Sequence, residues 1–251
     1  MVSLDELVAH LDGELKTSSI PDYPGAMNGL QLANSGKVER IVAAVDASLA
    51  VIEAAAVGGP ALLIVHHGMF WQGAQAVTGA FYRKLKVAMD ASMAIYSSHL
   101  PLDIHPEFGN NILLAGAIGL QNPQPFLELK GVSLGVRGHW VGSRQGLMEA
   151  VALAVGGPVH LCPGGDEVID QVAVVTGGAG SEVAKVAATG LGSMITGEGP
   201  HWSYPLAEEL GVNLLYAGHY ATETFGVKAL AQHLADRHGL PWVFVDRPSG
   251  L

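Results

Sequence analysis

The chain has 251 residues, of which 49% are hydrophobic, so it can bury a large core as one domain or as two lobes. Thirteen Lys and Arg residues against 23 Asp and Glu residues give a formal net charge of −10, which argues against nucleic acid as a direct ligand. Cys162 is the only cysteine, which excludes an intramolecular disulfide and a thiolate metal cluster and fits a reducing cytosol.

The first residues are acidic and lack the basic and apolar regions of a signal peptide. Apolar residues at helical spacing follow, and they predict an amphipathic helix from Ser3 to Leu15. Ser3 and Glu6 have the spacing of a capping box. Apolar runs are too short to span a bilayer, so we expect a soluble, cytoplasmic protein without a membrane partner.

Alternating strands and helices fill the rest of the first half. Residues 41–46 and 61–65 are predicted strands, and residues 48–57 form an Ala-rich helix between them. This βαβ unit ends at the adjacent pair His66 and His67. Further helices are expected over residues 82–91 and after Pro106.

The second half has the same order at a shift of 131 residues. Strands are predicted at 172–177, 193–196 and 213–217, with helices at 181–188 and 205–210. The shift aligns Glu198 with His67. We therefore predict an α/β fold of two α/β lobes, consistent with a duplicated unit. The lobes are expected to span residues 1–125 and 126–251, with their boundary in residues 119–140, where Pro123 and Pro125 are among several turn formers.

Histidines and carboxylates follow several predicted strands. An acid follows the histidine by four residues in both halves, as Asp103 after His99 and as Glu223 after His219. Functional groups in open α/β sheets cluster beyond the carboxyl ends of strands. Two lobes that face each other across these edges would form a metal cleft, with ligands from both lobes: His66, His67, Asp103, His219 and Glu223.

The histidine pair alone does not decide the chemistry. Neighbouring side chains on a strand point to opposite faces, so His66 and His67 are equally compatible with solvated imidazoles. Both reach metal only if the backbone turns, which Gly68 permits, or if two metals lie side by side. The further segments with histidine and acid favour the metal interpretation.

Together these motifs resemble the NIF-three-like family, whose members are often labelled GTP cyclohydrolase I type 2 homologues. The similarity runs in order along almost the whole chain, and it rests on Asn28-Gly29-Leu30-Gln31, Val65-His66-His67-Gly68-Met69-Phe70-Trp71, His99-Leu100-Pro101-Leu102-Asp103 with Gly109-Asn110-Asn111, Thr196-Gly197-Glu198 and Gly218-His219-Tyr220-Ala221-Thr222-Glu223.

The resemblance implies two lobes with a pair of divalent metal ions between them, in a toroidal homohexamer. It places the ligands on the same five residues: His66, His67, Asp103, His219 and Glu223. Imidazoles and carboxylates without thiolate suit Zn, Fe, Mn, Ni or Co and disfavour Ca and Mg. Two such ions about 3.5–4 Å apart can share a carboxylate, for which Glu223 is the candidate, and a water of lowered pKa.

Other polar residues leave alternatives open. His99 is an orienting residue, a proton shuttle or a hydrogen-bonded loop histidine, and Glu198 is a weaker candidate acid or base. His201 lies about one residue from the usual family position, so its role stays open. Residues 177–181 form either an anion site or a plain tight turn. The remaining histidines are expected to be ordinary surface or hydrogen-bonded residues: His10, His139, His160, His233 and His238.

Two functions follow from this pattern. The first is a metal-dependent hydrolase of the cyclohydrolase type acting on a purine nucleotide such as GTP, a substrate that only the family label supplies. The second is a non-enzymatic metal-binding scaffold or regulatory protein that acts through protein partners.

Overall fold

A computed structural model of the protein describes residues 2–129 and 131–251. These residues form two compact units, which are described separately. The first unit comprises the described residues up to Leu102 together with Gly226–Arg247. The second unit comprises the described part of Asp103–Phe225 and the C-terminal residues Pro248–Leu251.

The strands of the described residues are, in chain order, β1 (Val2–Ser3), β2 (Gly29–Leu32), β3 (Lys37–Val38), β4 (Arg40–Asp46), β5 (Ala61–His67), β6 (Met93–Ser97), β7 (Gln121–Leu129), β8 (Val132–Ser143), β9 (His160–Pro163), β10 (Val168–Val174), β11 (Ser193–Thr196), β12 (Asn213–Tyr216) and β13 (Trp242–Phe244).

The α-helices of the described residues are α1 (Leu4–Glu14), α2 (Leu49–Ala55), α3 (Gly79–Asp90), α4 (Leu100–Asp103), α5 (Asn110–Ala117), α6 (Arg144–Val155), α7 (Val183–Ala188), α8 (Ser203–Leu210), α9 (His219–Thr222) and α10 (Thr224–His238). A short 3₁₀ helix, Gly180–Glu182, precedes α7. Among the residues described, no helix combines the length and apolar character needed to cross a membrane.

The sheet of the first unit has the strand order β13-β4-β5-β6-β2. Strands β13, β4, β5 and β6 run parallel, and β2 pairs antiparallel with β6. The predicted βαβ unit is therefore confirmed as β4-α2-β5. Because helices cover a parallel sheet, its strands read as continuous apolar runs, and the buried Val42, Leu63 and Ile95 pack in one core.

The sheet of the second unit has the order β7-β8-β10-β11-β12-β9. Its three central strands, β10, β11 and β12, are parallel. They lie side by side in the order in which they occur in the sequence, as β4, β5 and β6 do in the first sheet, which matches the predicted repeat. The prediction of an α/β fold is confirmed. In both sheets, candidate histidine ligands lie at or just after the carboxyl ends of central strands.

Residues 119–140, where the boundary between the lobes is expected, contain regular secondary structure. They include β7 and most of β8, which pair as an antiparallel hairpin with Pro125 opposite Val136. Strand β7 lies at the sheet edge, where proline is tolerated because its missing N–H is not needed. The compact units also differ from a division after residue 125, because β13 near the C-terminus pairs with β4.

Helix α1 forms close to the predicted bounds, with Ser3 in the extended conformation of an N-cap. Within the described residues, however, the Ser3 side chain makes no capping hydrogen bond, so the predicted capping box is wrong. The Glu6 carboxylate instead lies 3.5 Å from Nδ1 of His238. This contact with α10 replaces the local bond that the spacing suggested.

Candidate metal centre

The paired histidines end strand β5 of the first unit. His66 is fully buried, whereas the His67 side chain is 19% exposed. Asp46 at the end of β4 lies opposite His67 in the parallel register. His99 follows the end of β6, the neighbouring strand on the other side. Three adjacent strand ends thus carry the polar groups, as expected for an open α/β sheet.

Each of these three histidines is anchored through Nδ1. His66 Nδ1 is 2.9 Å from the Ser98 carbonyl oxygen, His67 Nδ1 is 2.8 Å from Asp46 Oδ1, and His99 Nδ1 is 2.9 Å from Asp22 Oδ1. The partner oxygens accept, so Nδ1 carries the proton and donates. In this tautomer Nε2 carries no proton, so its lone pair makes it the acceptor or ligand atom of each ring.

The three rings lie close together. Their centroids are separated by 4.7 Å between His66 and His67, 5.0 Å between His66 and His99, and 5.8 Å between His67 and His99. One ligand atom from each lies within 4.8 Å of the others. The group can therefore hold a metal ion. Trp71 contacts the His99 ring edge to face, with centroids 4.8 Å apart.

Asp22 fixes the loop that carries His99. Its Oδ2 accepts hydrogen bonds from Asn28 Nδ2 and from the backbone N–H of Leu100, at 2.8 and 2.9 Å. Burial alone would raise the pKa of Asp22, but the hydrogen bond and charge of His99, with Asn28 and the Tyr23 N–H, outweigh it and lower the pKa. Asp22 is thus a carboxylate that orients an imidazole.

Gly68 has a different role from the predicted turn. A Cβ at this position would overlap the side-chain amide of Gln31. That amide donates to the carbonyl oxygens of Ala26 and Met27, and its oxygen accepts from the Met69 N–H at 2.7 Å. The glycine leaves room for Gln31, which holds the segment after the histidine pair in place.

The second unit brings together Asp103, His219 and Glu223. Glu223 is 2% exposed, and its Oε2 lies 3.3 Å from Nε2 of His219. A carboxylate oxygen of Asp103 lies within 4.8 Å of one from Glu223. His219 is also anchored, because its Nδ1 is 2.9 Å from Glu198 Oε1. Glu223 therefore lies close to the other two groups.

Asp103 is held by the helix that follows it. Its Oδ1 accepts from Asn110 Nδ2 at 2.8 Å and from the Thr176 hydroxyl at 3.4 Å. The Asn111 amide donates to the Asp103 carbonyl oxygen at 2.9 Å. These bonds fix the carboxylate and explain why Asn110 and Asn111 are buried at the start of α5.

The pKa of His219 reflects two opposing effects. Burial alone would lower it, but the hydrogen bonds and charges of Glu223 and Glu198 outweigh burial and raise the pKa to about 9. His219 therefore carries a proton at neutral pH when carboxylates are its only partners. A metal ligand must be neutral, so a cation bound at Nε2 would displace that proton.

The glycine-rich segment after β10 is a tight turn that makes space for these side chains. Gly177 has φ +68°, and a Cβ there would overlap the Glu223 carboxylate. The His219 ring passes within 3.5 Å of the Cβ position of Gly178. The Gly177 N–H donates to the Thr222 hydroxyl at 3.1 Å. Of the two interpretations of residues 177–181, the structure supports the turn.

A cavity of about 520 Å³ in the second unit lies beside Glu198. Aromatic rings line much of it, and His160 and Tyr216 stack at 24° with centroids 6.3 Å apart. His201 and Tyr204 also line it. Such a flat, mostly apolar wall suits a planar ring. The exposed His201 thus belongs to this cavity wall.

Sequence reasoning found the histidines of each unit but missed two of their orienting carboxylates. Asp46 carried a detectable signal, because it ends the strand beside the histidine pair. Asp22 lies in a loop far from His99 in sequence, and local pattern does not connect them. Glu198 was a candidate acid or base, and the structure shows it bonded to His219 Nδ1.

Comparison with known proteins agrees with this arrangement of motifs. The model of the family described as Duf34/NIF3 (NGG1p interacting factor 3) matches residues 2–249. A Deinococcus radiodurans protein named GTP cyclohydrolase 1 type 2 homolog is 40% identical over 252 residues, which cover 100% of this chain and 95% of the relative. A Pyrococcus abyssi protein with the same name is 41% identical over 250 residues, 98% of this chain and 99% of the relative.

A solved structure shows the same fold. The crystal structure of TTHA1606 from Thermus thermophilus has a TM-score of 0.90 and 37% sequence identity to this chain, and each chain is covered over 100% of its length. The names of these relatives record likeness to a cyclohydrolase.

Proposed function

This chain belongs to the Duf34/NIF3 family, and from that premise we propose that it is a dinuclear metal-dependent hydrolase of the cyclohydrolase type. The family relation supports the reaction class through the names of the relatives. The donor chemistry within each unit supports the metal.

The hydrogen bonds of the histidine rings are the main support for the proposal. His66, His67, His99 and His219 each have Nδ1 bonded to a carbonyl or carboxylate oxygen. Metal-binding histidines typically donate their second ring N–H to such an oxygen, which fixes the tautomer and makes Nε2 a better ligand. Surface histidines do not need this arrangement. At His66, His67 and His219 it favours metal ligands over solvated imidazoles, and at His99 it fixes the ring for proton transfer.

We assign the metal ligands to five side chains: His66, His67, Asp103, His219 and Glu223. This donor set of imidazoles and carboxylates suits Zn, Fe, Mn, Ni or Co. Within the second unit, Glu223 lies near both Asp103 and His219, which supports it as the carboxylate shared by two ions. Divalent ions held there would supply Lewis acidity and activate water near neutral pH.

His99 and Glu198 have separate roles in this proposal. Glu198 orients His219 through Nδ1. The Asp22 carboxylate does the same for His99, which leaves His99 Nε2 able to accept and return a proton. A carboxylate–imidazole pair of this kind is a common general base. His99 is therefore the proposed acid–base residue.

The cavity beside Glu198 supports the substrate class that we propose. Its tyrosine and histidine rings suit a planar heteroaromatic ring. A purine nucleotide meets that requirement, and the relatives' names make GTP the first compound to test. Hydrolysis of a ring C–N bond consumes one water: a C–O bond forms at the electrophilic ring carbon, the C–N bond breaks, and the proton that water loses ends on the leaving nitrogen, with His99 as its proposed carrier.

The test is turnover by metal-loaded, untagged protein against purine nucleotides and phosphoesters. We expect ring opening of a purine nucleotide, seen as loss of its ultraviolet band, and loss of this activity in His99→Ala with metal content retained. Tyr82→Phe in the first unit is a matched surface control. Absence of turnover at full metal occupancy would contradict the hydrolase and favour a scaffold that acts through protein partners.

The family relation also leads us to propose a homohexamer. Light scattering at micromolar concentration tests this assembly, and a monomer would contradict it. Treatment with a chelator is a separate test, because a purely structural metal site predicts unfolding on metal removal.

A further inference from the structure

A separate group of side chains that could hold a metal ion lies on helices α1 and α10 of the first unit. His10 and Glu14 lie one turn apart on α1, and His233 lies on α10. Local sequence pattern does not connect them, since His10 and His233 are 223 residues apart. All three side chains are partly buried.

The ligand atoms of these residues are close together. His10 Nε2 lies 2.8 Å from His233 Nε2, and one ligand atom from each of His10, Glu14 and His233 lies within 4.8 Å of the others. The two imidazoles are stacked at 18°, with centroids 5.1 Å apart. Two ring nitrogens and a carboxylate oxygen thus converge on one point at the helix surface.

We propose that His10, Glu14 and His233 form a third, independent binding site for a borderline divalent transition ion such as Zn²⁺. Two imidazoles and one carboxylate are a common protein set for zinc, with a water in the fourth position. A tetrahedral ion with Zn–N distances of about 2.0–2.1 Å separates its ligands by about 3.4 Å. The two rings therefore need to part by only about half an ångström.

The local charges also favour a neutral ligand. Burial, together with the charges of Arg237 and His233, lowers the pKa of His10, which favours the neutral form of the ring that a metal ligand needs. Leu7 and Leu11 on the same helix are fully buried, which fixes the face that presents His10 and Glu14. An ion at this point would link the N-terminal helix to the helix near the C-terminus.

The test is metal content after equilibrium dialysis of untagged protein against micromolar free zinc. We expect His233→Ala and His10→Gln each to bind one zinc ion fewer per chain than wild type. The matched control is His139→Ala, because His139 is an exposed histidine on β8 of the other unit, and we expect it to retain the wild-type content.

The difference between variant and wild type does not depend on how many ions bind at the strand ends, so it tests this site separately from the proposed hydrolase. Circular dichroism checks that each variant is folded, and Glu14→Gln, which keeps the side-chain volume, provides a further variant with an expected tenfold or greater loss of zinc affinity. Equal zinc content in wild type, His233→Ala and His10→Gln would overturn the proposal and leave a plain hydrogen bond between two histidines. An equal loss in His139→Ala would also overturn it, as nonspecific binding.

Discussion

Two histidine clusters in the first unit differ in how their rings are held. The strand-end histidines, His66, His67 and His99, each donate Nδ1–H to an oxygen of the protein. In the helix cluster of His10, Glu14 and His233, the rings bond to each other through Nε2. Anchored rings keep one tautomer before any ion binds, whereas the helix cluster must exchange its shared proton for metal. We therefore expect tighter and more specific binding at the strand ends.

Removal of a ligand is the largest expected effect. His66→Ala should lower metal affinity at the strand ends by more than about 100-fold, because a loss of about 100-fold is the largest that is typical when a group that only orients a ligand is removed. Competition with a coloured zinc chelator measures this change. His233→Ala in the same assay should leave the tight strand-end class unaffected, and loss of that class in His233→Ala would show that the two clusters are not independent.

Loss of an orienting carboxylate should have the next largest effect. Asp46→Ala removes the acceptor for His67 Nδ1 and should weaken metal binding by about 10–100-fold. Asp46→Asn keeps an acceptor oxygen and should recover part of that loss. Zinc affinity equal to wild type in Asp46→Ala would contradict the role given to anchoring, since the ligand itself is retained.

The pKa values of His219 in the second unit and of His10 in the helix cluster should be shifted in opposite directions. In metal-free protein, the pKa of His219 in the second unit is raised to about 9 by Glu223 and Glu198 against the effect of burial, whereas burial and Arg237 lower the pKa of His10. Histidine NMR titration measures both. Glu198→Gln should bring the pKa of His219 down and leave His10 unchanged.

These shifts have opposite consequences for stability. Folding favours protonated His219, so its contribution is complete below the unfolded pKa of about 6.5 and is lost as pH rises through about 9. Folding favours neutral His10, so its contribution is present above about 6.5 and is lost as pH falls through its lowered pKa. Denaturant unfolding of metal-free wild type and His219→Gln across pH 6–10 measures the contribution of His219. A difference in free energy of unfolding between the two proteins that does not change with pH would contradict the expected loss.

The smallest expected effect concerns Gly177. Gly177→Ala places a Cβ against Glu223 Oε1 at a positive φ, and the matched control Gly190→Ala has φ +83° with no atom within 4 Å of its Cβ. The backbone strain alone costs about 1–2 kcal/mol in each variant. Gly177→Ala should lose about 1 kcal/mol more free energy of unfolding, and equal losses would mean that Glu223 moves aside freely.

Much of the fold followed from local pattern. The apolar runs of β4, β5 and β6 and of β10, β11 and β12 are long and regular, and the strand ends at His66 and His67 lie where the runs predict. Residues 119–140 were harder, because Pro123 and Pro125 indicate a turn unless the strand lies at an edge. Edge position depends on the order of strands in the sheet, which local sequence does not contain.

The candidate site was predictable where its residues lie at strand ends or four residues after a strand-end histidine. His66, His67, His99 and His219 follow apolar runs, so their place was visible. The partners that orient them come from elsewhere in the chain, as Asp22 does for His99, and the helix cluster joins residues 10 and 233. Contacts over such separations depend on packing, and so only the structure brings them into view.

Anomalous diffraction at the zinc absorption edge, from crystals of zinc-loaded protein, is the most direct test of the two-metal assignment. We predict strong peaks at about 2.0–2.3 Å from Nε2 of His66 and His67 and from ligand atoms of Asp103, His219 and Glu223. Peaks absent from these side chains in crystals whose protein retains zinc would contradict it.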